Sequence, residues 1–357
     1  MIENPFYTHE FHGDYDLVSI GHLDLEEGGS IPDCHLALTT WGELNEARDN
    51  AILITTWYSG THQIWRDVYV GPDHALNPER YFIVAINQIG SGLSTSPHNA
   101  GGANADLAMS NFPKVRIGDD VRAQRRLLAE KWGIERLALV VGGSMGAQQT
   151  YEWAVRFPEM VLRAAPLAGT AQNTPHDFLF TKTLMDAITS DPGWQAGEYS
   201  SHTDVAAGLR RHARIWAVVG FSTEFWKTEA WRTIEVDGVT FTSLDEYLAF
   251  REALYCEMDP NALLSMAWKW QRGDIARHTA GDLRAALERI TAKTFVLPID
   301  EDMFFPPRDC AYEQAMIPAA ELRVLHSITG HSALGGSEAS FLAQVDAHLL
   351  ELLALDV

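Results

Sequence analysis

Ser144 sits in the stretch ALVVGGSMGAQQTYEWA, residues 138–154, between a run of small and branched apolar residues and a segment of helical character. Three glycines, Gly142, Gly143 and Gly146, surround it. Glycine in and around a tight turn admits backbone angles that a side chain forbids. The pattern predicts a strand, a sharp corner and a helix, with the hydroxyl exposed on the corner. G-x-S-x-G in that context is the signature of a nucleophile elbow. A serine hydroxyl attacks poorly at neutral pH until a base takes its proton, and the base needs an orienting group.

Residues able to fill those roles follow later in the chain. The strand-like FVLPI leads into DEDMFFPP, which offers Asp300, Glu301 and Asp302. The strand-like ELRVLHSI leads into TGHSALGG, which offers His331 behind a glycine, while His326 falls within the strand and His62 in another loop. Nucleophile, acid and histidine then come in the order of a hydrolase triad, each beyond the C-terminal end of a strand, where open α/β sheets bind ligands. Acyl chemistry also needs hydrogen-bond donors for the oxyanion. The residue after the nucleophile, Met145, supplies one backbone N–H, and the loop TTWYSGTHQIW is suited to supply the other.

The elements that must position these residues alternate between strand and helix. DLVSIGHLDL and HLALTTWGEL read as early strands separated by the turn-forming EEGGSIPD. NAILITTWYSG and RYFIVAINQIG are continuous apolar runs ending in glycine, as in strands buried on both faces. Ile117, Val121, Leu128 and Trp132 form one helical stripe, with Asp119 and Asp120 near its positive end. RLALVV then leads into the elbow. This alternation predicts an α/β fold with a mostly parallel central sheet covered by helices on both faces. From about residue 170 to 290 the pattern becomes helical and holds six of the eleven tryptophans, for core packing, a pocket lining or a dimer contact. The organisation expected is a core in two parts, 1–169 and 291–357, interrupted by a helical insertion at 170–290.

Composition narrows the class further. The 357 residues are 46% hydrophobic and 21% charged, enough for a sizeable core. A net charge of −21 disfavours nucleic acid and anionic membranes as partners. No apolar run is long enough for a membrane span, and the polar start MIENPFYTHEFHGDYDL lacks the pattern of a secretory signal. Three widely spaced cysteines suit reduced thiols, so a cytoplasmic protein is expected. No Walker loop, GxGxxG, HExxH or CxxC is present, so no cofactor or metal is expected. HEFH near the N-terminus reads as a solvated terminal segment.

The combination of GGSMGAQQTYEWA, GPDHALNPERYFIVAINQIGSGLSTSP, ARIWAVVGF, MDPNALL, DMFFPP and GHSAL resembles the homoserine O-acetyltransferase-like branch of the α/β-hydrolases. The resemblance spans nearly the whole chain. It implies the α/β-hydrolase fold, a ping-pong reaction through an acyl-serine, no metal, and a helical lid through which the protein dimerises. It selects Asp302, four residues before the proline pair, as the acid, and Tyr58 as the second oxyanion donor. The acceptor site departs from the transferase pattern. TWYSG, with Trp57, stands where transferases resemble HALTG; Ser332 replaces an aspartate after the histidine; and Phe221-Ser222 replace a tyrosine-arginine pair. Arg214 alone matches the arginine expected to grip the acceptor carboxylate. Loss of polar partners weakens recognition of a zwitterion. The expectation is a serine esterase for short-chain, acetyl-type esters, with Trp57, Arg214, Phe221 and Ser332 as substrate contacts. The alternatives are an acetyl-CoA-dependent homoserine O-acetyltransferase and a catalytically silent scaffold.

Overall fold

The computed structural model of the protein describes residues 2–236 and 238–357. Along the chain come α1 (His9–His12), β1 (Asp16–Asp24), β2 (Ser30–Trp41), β3 (Ala51–Thr55), α2 (His62–Val68) and β4 (Phe82–Ile86). α3 (Ile117–Trp132), β5 (Leu139–Gly143), α4 (Met145–Arg156) and β6 (Arg163–Leu167) follow. The next segment holds α5 (Pro175–Thr189), α6 (Ala206–Gly220), α7 (Thr223–Lys227), β7 (Glu235–Val236), β8 (Val239–Thr240), α8 (Leu244–Cys256), α9 (Pro260–Trp270) and α10 (Leu283–Leu287). β9 (Lys293–Val296), α11 (Pro307–Gln314), β10 (Ala320–Leu322) and α12 (Ala339–Leu353) complete the chain.

Eight strands form one sheet in the order β1-β2-β4-β3-β5-β6-β9-β10. The β1–β2 and β2–β4 pairs are antiparallel and every other neighbour pair is parallel. The apolar runs explain the centre of the sheet: all five residues of β3 and of β4 are buried. Successive residues of β3 serve opposite faces, Leu53 joining the core under α3 and α4, and Ile52 and Ile54 the core under α2 and α12. β6 and β9 are neighbours in the sheet, so the chain between them leaves the sheet and returns beside its point of departure. The motif MDPNALL starts α9: Asp259 Oδ1 accepts the Ala262 N–H at 2.8 Å, and Pro260 occupies the first turn. Among the described residues no helix is long and apolar enough to cross a membrane.

Three local expectations are corrected. The turn between β1 and β2 is shorter than EEGGSIPD, because β2 begins at Ser30. Pro32 is tolerated there because it falls at the irregularity where the register slips between Gly21 and Leu23. ELRVLHSI is strand only at its start, so His326 lies outside β10. Pro298 accepts the Leu325 N–H at 2.8 Å but has no N–H of its own to continue the ladder. The segment after β6 is not purely helical, since β7 and β8 pair antiparallel within it. Its tryptophans divide: Trp231 packs with Phe221, Phe225 and Tyr247 in a separate small core, whereas Trp270 and Trp216 join the main core.

β3 and α4 meet so closely that only hydrogen fits between them at two positions. A Cβ on Gly146 would overlap the Thr55 carbonyl oxygen, and one on Gly142 would lie 2.6 Å from the Gly146 carbonyl. Gly146→Ala is therefore expected to destabilise the fold by about 1–3 kcal/mol, the usual cost of overpacking. A denaturant midpoint equal to that of the unaltered protein would contradict this contact.

Candidate active site

β5 delivers Ser144 onto a corner with φ 55° and ψ −121°, immediately before α4. The backbone strain is carried by the serine itself; Gly142, Gly143 and Gly146 have no positive φ. Their role is close approach, which the sequence pattern alone does not distinguish from conformational freedom. The Ser144 N–H donates to the Leu167 carbonyl at 2.9 Å, anchoring the corner to the end of β6. Met145 opens α4, so its N–H has no acceptor within the helix and points from the positive end of the helix dipole.

Two loops bring the partners of Ser144. His331 lies in the turn after Gly330, whose φ of 69° favours glycine. Its Nε2 is 3.0 Å from Ser144 Oγ, and its Nδ1 is 2.7 Å from Asp302 Oδ2. The other carboxylate oxygen, Oδ1, accepts the N–H groups of Phe304 and Phe305 at 2.7 and 3.1 Å. All three side chains are buried. With both Asp302 oxygens satisfied, the carboxylate is held to accept Nδ1–H, leaving Nε2 to take a proton from Ser144. Asp300 belongs to a different pair: it meets His326 Nδ1 at 2.8 Å and the Ser327 N–H at 3.0 Å. Glu301 is exposed.

Ser144 and His331 open into a cavity of about 320 Å³ lined largely by apolar groups, including Trp57, Trp216, Leu254 and Met258. Tyr58 and Ser332 also line it. The Tyr58 hydroxyl bonds His212 Nε2 of α6 at 2.9 Å, which ties the loop after β3 to the inserted helices. Two of the expected substrate contacts lie elsewhere. Arg214 is on the outer face of α6, where its Nε donates to Glu252 at 2.6 Å and its side chain is 62% exposed. Arg210, one helical turn earlier, faces the same carboxylate, so the rotation of α6 turns both cations outward. Phe221 is buried against Phe225, ring centroids 4.4 Å apart, and does not line the cavity.

The cavity also contains residues that the sequence reading passed over. HEFH forms α1, with His9, Glu10 and Phe11 exposed as expected of a solvated segment, but His12 is buried and, with Phe6 and Phe11, lines the cavity wall. His12 Nδ1 lies 3.1 Å from Thr61 Oγ1. Arg251 of α8 is the cation that reaches the cavity, its guanidinium over the Phe221 ring at 5.2 Å and its Nε buried without a partner among the described residues. Helical periodicity around 244–256 could have placed Arg251 opposite the exposed face, but nothing in the sequence says which face meets Ser144.

Residues 52–334 match the α/β-hydrolase fold family. The chain belongs to the α/β-hydrolases. Within them it is similar to an ethyl acetate hydrolase of Pseudomonas veronii, 54% identical over 98% of this chain and 99% of that protein. A solved structure of an acetylester hydrolase from Corynebacterium glutamicum superposes with a TM-score of 0.96 at 59% identity, covering 99% of this chain and 100% of that one. A homoserine O-acetyltransferase of Thermobifida fusca is 31% identical over 93% of this chain and 91% of that protein. The hydrolase therefore sits in the branch that holds both esterases and homoserine O-acetyltransferases, nearer to the esterases among these relatives.

The two acid–histidine pairs of this hydrolase can be separated by substitution. Asp302→Asn is expected to lower kcat by about 10⁴-fold through the wrong imidazole tautomer, whereas Asp300→Asn changes it by less than about threefold. Steady-state kinetics of the two variants checks the ranking. A second expectation concerns acid. Burial first, then the neighbouring His62, holds His12 down at about 4, while burial holds His62 at about 4 and His212 at about 3. These histidines stay neutral in the folded hydrolase while the unfolded chain takes up protons below about 6.5, so their contribution to stability falls as pH drops from about 6.5 toward 4. Glu313, whose carboxyl burial raises to about 8, opposes this in part. Denaturant midpoints measured at pH 7, 5.5 and 4.5 should decrease in that order.

Proposed function

We propose that this protein hydrolyses short-chain, acetyl-type carboxylic esters through an acyl-enzyme on Ser144. At the level of reaction class it is a carboxylic ester hydrolase, as its relatives at 54% and 59% identity are named. The acetyl preference is carried over from the printed names of those relatives, ethyl acetate hydrolase and acetylester hydrolase. The observation that carries the mechanism is the single imidazole of His331 spanning Ser144 at 3.0 Å and Asp302 at 2.7 Å.

In this reading Ser144 Oγ adds to the ester carbonyl as its proton passes to His331 Nε2, and Asp302 stabilises the imidazolium. The negative oxygen is met by the backbone N–H groups of Met145 and Tyr58. Collapse breaks the bond to the alcohol, which leaves with the proton from Nε2. A water then adds to the acyl-serine, its proton going to Nε2, and collapse returns that proton to Ser144 and frees the acid. Trp57, Ser332 and the apolar walls contact the substrate. A homodimer through the inserted helices, acting as a lid, belongs to the same reading; Phe178, Leu179 and Val218 are exposed there.

The rival acceptor is homoserine, because an acetyl-serine serves transferases equally well. The cavity offers its ammonium Ser332 in place of a carboxylate; Arg214 is engaged with Glu252 outside, which leaves Arg251 as the cation in the cavity for its carboxylate. Losing a charge-assisted hydrogen bond of roughly 1.5–3 kcal/mol weakens an acceptor about ten- to a hundredfold. Water needs no such contact. The acetyl-enzyme formed from p-nitrophenyl acetate at millimolar homoserine should therefore yield mainly acetate, and folded Ser144→Ala should lose activity by at least about 10⁴-fold. Mainly O-acetylhomoserine among the products would replace hydrolysis by transfer.

A further inference from the structure

Thr56 begins the loop that carries Trp57 and Tyr58, and its carbonyl oxygen accepts two buried side-chain amides. Gln88 Nε2 donates at 2.7 Å and Gln149 Nε2 at 2.9 Å. Each amide ends a relay. Gln149 Oε1 accepts Gln124 Nε2 at 2.7 Å, and Gln124 Oε1 accepts the indole N–H of Trp153 at 2.7 Å. On the other side Gln88 Oε1 faces Lys269 Nζ at 3.4 Å; Lys269 also donates to the Ile89 carbonyl at 2.8 Å and pairs with Asp120. Thr56, Gln88, Gln124, Gln149, Trp153 and Lys269 are all buried.

The chemistry of the outer ends fixes the direction of both relays. An indole N–H and an ammonium can only donate. Trp153 therefore holds the carbonyl end of Gln124, whose NH2 must face Gln149, whose own NH2 is left for Thr56. Lys269 imposes the same polarity on Gln88. An amide flipped in either chain would set donor against donor in a dry interior. One hydrogen bond would satisfy the Thr56 oxygen; two, from opposite relays, fix its direction.

We propose that the Gln149 and Gln88 relays are the positioning device of the oxyanion hole. Pinning the Thr56 carbonyl fixes the peptide plane that enters the loop, and so the aim of the Tyr58 N–H one residue later. The Tyr58 hydroxyl, held by His212, secures the loop from the opposite side. Gln88, Gln124, Gln149, Trp153 and Lys269 act through the loop and do not touch the substrate. This inference rests on the reading of Tyr58 N–H as an oxyanion donor.

The test uses Gln149→Met and Gln88→Met, each of which removes one donor from Thr56. For p-nitrophenyl acetate, kcat should fall about ten- to a hundredfold while KM stays within about threefold, since the oxyanion forms only on the way to the tetrahedral state. The inhibition constant of a trifluoromethyl ketone, which forms an anionic adduct with Ser144, should rise by the factor lost in kcat. Trp153→Phe keeps an aromatic ring at the site and removes the terminal donor together with part of the indole volume; it should show the same pattern at threefold or more. Folded Gln149→Met and Gln88→Met with full kcat and unchanged ketone inhibition would overturn the positioning role, whatever their melting temperatures; if neither folds, the same result in Trp153→Phe does so. Failure of the ketone to inhibit the unaltered enzyme would instead overturn the oxyanion reading, and the positioning role with it.

Discussion

The contact on which the site depends is the approach of Thr55, at the end of β3, to the corner between β5 and α4. Thr55 Oγ1 bonds the Gly146 carbonyl at 2.8 Å, and hydrogen alone separates the two backbones at Gly146. This closeness lets Ser144 keep a strained backbone at the tip of a buried strand, because the surroundings leave it no relaxed alternative. It also brings the loop after β3, with Tyr58, beside the start of α4, with Met145. One steric fact thus places Ser144 and the two backbone N–H groups, of Met145 and Tyr58, that the proposed mechanism uses.

The remaining parts are added by loops that sheet order makes neighbours. β5, β6, β9 and β10 lie side by side, so the loops after β9 and β10 carry Asp302 and His331 to the same edge as Ser144. The Asp302 carboxylate is saturated by two backbone N–H groups and one imidazole, which leaves the ring of His331 a single orientation. Phe304 packs edge-on against that ring at 4.9 Å, restricting it further. The rigidity comes from packed, satisfied groups, the condition under which electrostatic stabilisation acts without reorganisation.

The inserted segment and the N-terminal segment give the cavity its character. Trp216, Leu254 and Met258 come from the insertion, and Phe6, Phe11 and His12 from the first dozen residues. These walls are largely apolar, with Arg251 the cation that reaches them, and the buried histidines near them are neutral at ordinary pH. Arg210 and Arg214 of α6 face outward and share the Glu252 carboxylate.

Local features were legible in the sequence because their causes are local. The apolar runs of β3, β4 and β5, the glycines of the elbow and the order of serine, acid and histidine all follow from short-range sterics and periodicity. They determined a mostly parallel α/β sheet with a serine at a strand end. Which acid meets His331 was open on the residues alone, and the family resemblance named Asp302. The structure pairs the two, and Asp300 is engaged by His326 instead. Only the tertiary structure decided that Arg214 turns outward, that Arg251 and His12 face the cavity, and that two glutamine relays converge on Thr56. Each of these depends on the rotation of a helix, or on contacts between residues about 30 to 180 apart in the chain, and no local pattern encodes either.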